Sequence, residues 1–194
     1  MTTFWNWRRG PISATQGSEA LETTPTEMAP IELYTVDSRI VAWIAPHGQR
    51  VTDLLNSRDE LRLWRPSPGP LDETEMPAAE GDPDEPTANG EWQSLETARV
   101  ILAMPPEWRA SRQLRLHRRL RRAAIIAGPF TLTGNVHLPP GSEVGLHLIR
   151  SGAFLPLTDA YLLHDGEPHF EHVVSVVIVN GAHVAQVSPL VTLA

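Results

Sequence analysis

The sequence predicts a mainly β protein: two tandem copies of a small open-barrel, twisted-sheet module, joined by an amphipathic helix and preceded by a flexible arm. Three observations carry this. Short apolar, β-branched runs such as Arg39–Ala45 and Val173–Val179 recur between turn residues, which is the signature of strands. A turn ending in Gly, a helical turn and a strand follow one another twice, at a spacing of 93 residues. One central stretch, Glu107–Ala124, has helical spacing instead.

Composition sets the limits. A chain of 194 residues holds one ordinary domain or two small ones, typical domains being about 100–150 residues. No apolar run approaches the roughly 18–20 residues that cross a bilayer. The start, Met1 to Arg9, lacks the apolar stretch of a secretory signal, so a cytoplasmic location is expected. Cysteine is absent, which excludes disulfides, thiolate nucleophiles and thiolate metal sites. A net charge of −7 argues against a nucleic-acid coat, although the charge is unevenly spread.

Residues 1–30 mix Thr, Ser, Pro, Gly and Glu without hydrophobic period and read as a flexible arm. Its tip concentrates Phe4, Trp5, Trp7, Arg8 and Arg9, residue types that dock on a protein partner or at a lipid interface; folding back on the protein's own surface is the alternative. The first module spans 31–106. Ile31, Leu33 and Tyr34 lead into the strand Arg39–Ala45, and Pro46-His47-Gly48 turns the chain. Val51, Leu54 and Leu55 then keep helical spacing, and Leu61, Leu63 and Trp64 alternate with Arg62 as a half-buried strand. An insertion at 66–98, with six Pro, many acids and no basic residue, reads as a solvated loop. Arg99–Met104 supplies the next strand, closed by Pro105-Pro106.

Residues 107–128 read as an arginine-rich linker helix, with Glu107 in its first turn and Gly128-Pro129 at its end. Arg112, Arg115, Arg118, Arg119 and Arg122 share one face; Leu116, Leu120, Ala123 and Ala124 lie on the other. Such a face suits phosphate, an acidic protein surface or an anionic membrane, or it pairs with the acidic loop of its own chain. The second module, 129–194, runs through Gly134–Ala160, the turn His164-Asp165-Gly166 and the strand Val173–Val179. Asn180-Gly181 then reads as a type I′ hairpin turn into Ala182–Ser188.

The repeat is aligned by a shift of 93 residues, which places Gly48 on Gly141, Val51 on Val144, Leu55 on Leu148 and Leu61 on Phe154. After the acidic insertion a shift of 76 places Glu91 on Glu167 and Val100–Leu102 on Val176–Ile178. Two such modules pack face to face or stand as neighbours in a larger ring.

Two resemblances follow. Gly134, His137, Leu138, Pro139, Pro140 and Gly141, with Phe154, Pro156, Leu157, Thr158, Asp159 and Ala160, resemble the core pattern of a short bacterial domain for which no activity is established. The first copy retains from that pattern Gly48 and the turn Asp53-Leu54-Leu55-Asn56. Asp53, Asn56, Asp159 and Ala160 also echo, in separate copies, pieces of the first motif of Sm-like RNA-binding folds. That likeness implies a small twisted barrel.

Glycine-rich phosphate loops, Gly-x-Ser-x-Gly elbows and His-Glu-x-x-His helices do not occur, so no enzyme activity, catalytic residue, cofactor or metal is expected. His164, His169, His172 and His183, near Asp165, Glu167 and Glu171, leave a metal-dependent enzyme as a third reading. His169 and His172, three apart, point to opposite faces of a strand. His137 reads as a structural hydrogen-bonder. The leading expectation is a non-catalytic accessory or scaffold subunit, held in a larger bacterial complex or homo-oligomer by the aromatic tip and the arginine face. The alternative is an RNA- or nucleic-acid-binding module using those arginines.

Overall fold

The structure, a computed structural model, describes residues 28–66, 90–106, 119–138, 141, 143–145 and 153–190. The chain is mainly β. The strands are β1 (Ala29–Thr35), β2 (Arg39–Ile44), β3 (Glu60–Pro66), β4 (Gly90–Glu96), β5 (Val100–Met104), β6 (Arg119–Ala127), β7 (Phe130–Leu138), β8 (Phe154–His164), β9 (Glu167–Asn180) and β10 (Val184–Pro189). A short helix, α1 (Val51–Ser57), lies between β2 and β3. The strands form one ten-stranded sheet in the order β10-β6-β7-β8-β9-β5-β1-β2-β3-β4, with antiparallel neighbours throughout.

That order repeats itself. Within β1–β5 it reads fifth, first, second, third, fourth, and within β6–β10 it reads the same. Each half has a glycine with positive φ after its second strand, Gly48 (74°) and Gly141 (80°). Each places a 3-10 turn between its fourth and fifth strands, Thr97–Arg99 and Gly181–His183. A backbone bond recurs too: Val36 N–H donates to Arg99 O and Gly128 N–H to His183 O, both at 3.2 Å.

Local sequence explains the strands. In β7 the residues Phe130, Leu132, Val136 and Leu138 are buried, while Thr131, Thr133, Asn135 and His137 between them are half-buried, the period of a pleated strand. β9 is exposed over its first half and buried from Val176 to Asn180, where β5 covers its other edge. One core gathers Leu132, Val136, Leu157, Leu162 and Val177 but takes in Tyr34, Ile101 and Leu102 from the first half. The other gathers Leu33, Ile44, Leu54 and Leu63 and takes in Phe154, Val176 and Ile178 from the second. The halves therefore bury apolar surface in each other.

The motif Gly134–Ala160 is, at its two ends, a β-bulge. The pairing of β7 with β8 shifts between Thr133 and Asn135, and Asp159 takes φ 49°. Asn135 Nδ2 donates to Asp159 Oδ2 at 2.9 Å, and His137 Nε2 lies 3.0 Å from the Thr158 hydroxyl. A Cβ on Gly134 would stand 3.2 Å from both the Ala160 Cβ and the Thr158 carbonyl oxygen, so any larger residue must push these atoms back by a few tenths of an ångström. His137 is the structural hydrogen-bonder expected of it.

Four expectations are corrected. The linker helix does not extend over residues 119–127: these are β6, paired residue for residue with β7 from Arg119↔Leu138 to Ala127↔Phe130. Arg, Leu and Ala rank among the best helix formers, but propensity is a weak prior, and a complete ladder with Ala123, Ile125 and Ala127 buried overrides it. The acidic insertion ends earlier than expected, because Gly90–Glu96 pairs with β3 along its length, Trp92 opposite Trp64. Asn180-Gly181 is no hairpin turn: Asn180 keeps extended φ/ψ (−78°, 114°) and caps a 3-10 turn, and β10 pairs with β6. Finally, the 3-10 turns align the fourth and fifth strands by a shift of 84 residues, placing Val100 on Val184 rather than on Val176.

Candidate assembly edges and the inner junction

A contact between the halves and the two sheet edges left free among the described residues form the candidate site. At the contact, the fourth strand of the second half, β9, lies against the fifth strand of the first, β5, with Leu102 opposite Val179 and Ala103 opposite Ile178. The sequence makes this seam apolar: Val176-Val177-Ile178-Val179 faces Val100-Ile101-Leu102-Ala103, all buried. Side chains then lock the register. Buried Asn180 donates through Nδ2 to Val100 O (2.9 Å) while its Oδ1 accepts from Ala182 N–H (3.0 Å). His183 Nε2 lies 2.7 Å from Ala98 O. Asn56, in the last turn of α1, donates to Phe154 O (2.9 Å) and accepts from Phe154 N–H (2.7 Å), so its amide closes the start of β8 as another strand would.

Packing around the seam is close. A Cβ on Gly128 would fall 2.8 Å from Ile101 Cδ1, and Gly128 has φ 55°, so two reasons favour glycine there. The Tyr34 ring meets Phe130 and Phe170 edge-on, with centroids 5.1 and 5.5 Å apart. Burial, reinforced by its hydrogen bond to Glu32, pushes the Tyr34 phenol well above its ordinary range. Burial alone would raise Glu32 as well, but hydrogen bonds from Arg39 (2.6 Å) and Tyr34 outweigh it and hold the carboxyl below its usual value. The turn Thr35–Arg39 and the Phe130–Phe170 pair also border a cavity of about 230 Å³.

The sheet's outer edges are β4 and β10. β4 carries Glu91 and Glu96 and no cation. Its neighbour β3 carries Arg62 and Arg65 beside Glu60. At the other end the edge strand β10 has no charged residue, and its neighbour β6 carries Arg119, Arg121 and Arg122 and no acid. Trp92 on β4 is 41% exposed, packs edge-on against Trp64 (5.4 Å) and lies under the Arg62 guanidinium at 4.5 Å. Leu120 on β6 and Leu190 just past β10 are 53% and 42% exposed.

Of the residues the sequence singled out, Phe4, Trp5, Trp7, Arg8, Arg9, Arg112, Arg115 and Arg118 lie outside the described residues. Arg119 and Arg122 lie on β6, and the Arg122 side chain is exposed. The histidines are spread out: His164 meets the Phe130 ring (4.9 Å), His172 the Phe170 ring (4.4 Å), and His183 the Ala98 carbonyl. Among the described residues no group of three His, Asp or Glu is placed to hold a metal ion. Sequence reasoning missed Glu91, Trp92 and Glu96, whose strand was hidden by the acidic composition around it, and Arg121, which a helical wheel sets off the arginine face. Among the described residues no helix is long and apolar enough to cross a membrane.

No protein-family model and no curated protein matches the chain, so the likeness of Gly134–Ala160 to a bacterial domain gains no support there. Among solved structures, an Sm protein of Pyrococcus abyssii in complex with a uridine heptamer aligns with 36% of this chain and 83% of its own, at 20% identity and a TM-score of 0.24.

Proposed function

We propose that this chain is a non-catalytic accessory or scaffold subunit, two copies of one β module fused edge to edge, that acts through protein–protein assembly. The observation that carries this reading is a sheet that ends, among the described residues, in two unpaired strands, β4 with Glu91 and Glu96 and β10 beside the arginines of β6. Unpaired edges are templates for another chain, and opposite charges orient and steer such pairing. The test is solution mass by light scattering at low and high salt, with absorbance at 260 and 280 nm followed across the peak. The expected result is a discrete complex containing protein alone; a lone monomer at every concentration, in cell extract as in purified form, overturns it.

Exposed Arg121 and Arg122, on one strand with Arg119, favour a second reading, a nucleic-acid-binding module. It predicts coeluting nucleic acid that salt strips away, because phosphate contacts release counterions.

A further inference from the structure

We infer that the partner at these edges is a second copy of this chain, and that copies join head to tail by repeating outside the chain the contact already made inside it. The inference rests on the assembly reading above and names its partner. Inside the chain a fourth strand, β9, meets a fifth strand, β5. Among the described residues, what remains unpaired is the outer side of the other fourth strand, β4, and of the other fifth strand, β10. One edge of each type is left over, and a second copy offers each its counterpart. A fourth strand meeting another fourth strand has no counterpart in the structure.

The inner junction also supplies the register. The turns Thr97–Arg99 and Gly181–His183 fix a shift of 84 residues between equivalent positions, under which Val100 matches Val184 and Pro105, just past β5, matches Pro189, the last residue of β10. Applied to Leu102↔Val179 and Ala103↔Ile178, the shift places Leu95 of one copy opposite Gln186 of the next, and Ser94 opposite Val187. Charge favours this arrangement over pairing β4 with β4. It sets Glu91 opposite Leu190, whose N–H donates to Arg122 O, and so level with the arginines of β6, whereas two β4 strands would bring Glu91 and Glu96 against their own copies. A fourth-to-fifth contact is heterologous, so copies close into a ring or continue as a filament.

The absence of cysteine makes the test clean. Residues directly opposite in antiparallel strands have Cβ atoms about 4.5–5.5 Å apart, within reach of a disulfide after small adjustment. Full-length chains carrying Ser94→Cys are mixed with chains carrying Val187→Cys and oxidised mildly. As a register control, Glu91→Cys chains are mixed with Val187→Cys chains, a displacement of roughly 10 Å along the strand. The inference predicts a mixed dimer as the dominant product of the first pair and several-fold less in the control. A double variant, Ser94→Cys with Val187→Cys, is predicted to give a ladder of linked chains on a non-reducing gel. Equal linking in control and test, or a Ser94→Cys chain that links best to itself, overturns the inference. If wild-type protein forms a protein-only complex while the first pair fails to link, the second-copy partner is wrong and the assembly reading stands. If the protein is a monomer throughout, both fall.

Discussion

The inner junction and the outer edges are built from equivalent strands, yet their chemistry differs. Val176-Val177-Ile178-Val179-Asn180 in β9 corresponds to Trp92-Gln93-Ser94-Leu95-Glu96 in β4, and Val100–Met104 in β5 to Val184–Ser188 in β10, where Leu102 gives way to Gln186. The inner strands are buried; the outer ones are mostly half-buried or exposed. The same two strand types thus form a permanent apolar seam inside the chain and polar edges at the ends of its sheet. Polar outer edges also protect the free chain, since a long apolar edge would aggregate. The lesson is that side chains decide whether an edge is a seam or a surface, while the backbone offers the same ladder at both.

Exchanging residues between the two places should break the difference. Ile178→Ser puts at the seam what β4 has at the equivalent position, Ser94; since Ile178 is fully buried, a loss of about 3–5 kcal/mol is expected from cavity and unsatisfied hydroxyl together. The midpoint of urea unfolding measures it. The reciprocal change, Ser94→Ile on the exposed face of β4, should leave single-chain stability within about 0.5 kcal/mol and raise self-association in light scattering. Asn180→Ala removes the amide that ties Val100 to Ala182, and about 2 kcal/mol should be lost because a buried carbonyl is left unpaired. Gly128→Ala should cost about 1–2 kcal/mol, from positive φ and the close Ile101 methyl.

The smallest effect is electrostatic. Glu32 is held low in the folded chain, so its contribution is present above the ordinary carboxylate value of about 4.3 and is lost as pH falls through its folded value. Tyr34 is held high, so its contribution is full below the ordinary phenol value of about 10 and is lost as pH rises above it. Thermal midpoints measured from pH 3 to 11 should decline at both ends, and Glu32→Gln should flatten the acid limb.

The fold class was legible in the sequence because β7 and β3 alternate visibly and because Gly48 and Gly141 mark the same turn in each half. β6 was not, because arginine, leucine and alanine carry helical preference while the ladder to β7 is a long-range fact. Asn180-Gly181 misled for a related reason: the dipeptide suits a hairpin, but the asparagine amide is engaged by Val100, 80 residues away. The seam itself is invisible to local patterns, since β5 and β9 read simply as buried strands. Once topology was known, the polar character of β4 and β10 marked them as edges.

Native-state hydrogen exchange, followed at two protein concentrations and two salt concentrations, compares seam and edges directly. The amides of β5 and β9 that face each other should exchange only on global unfolding, at a rate independent of concentration and salt. The outward-facing amides of β4 and β10 should exchange fast in dilute or salty solution and slow down as concentrated chains pair at low salt. Outer amides that exchange at one fast rate under every condition would contradict head-to-tail assembly, and seam amides as labile as the outer ones would contradict the fused junction.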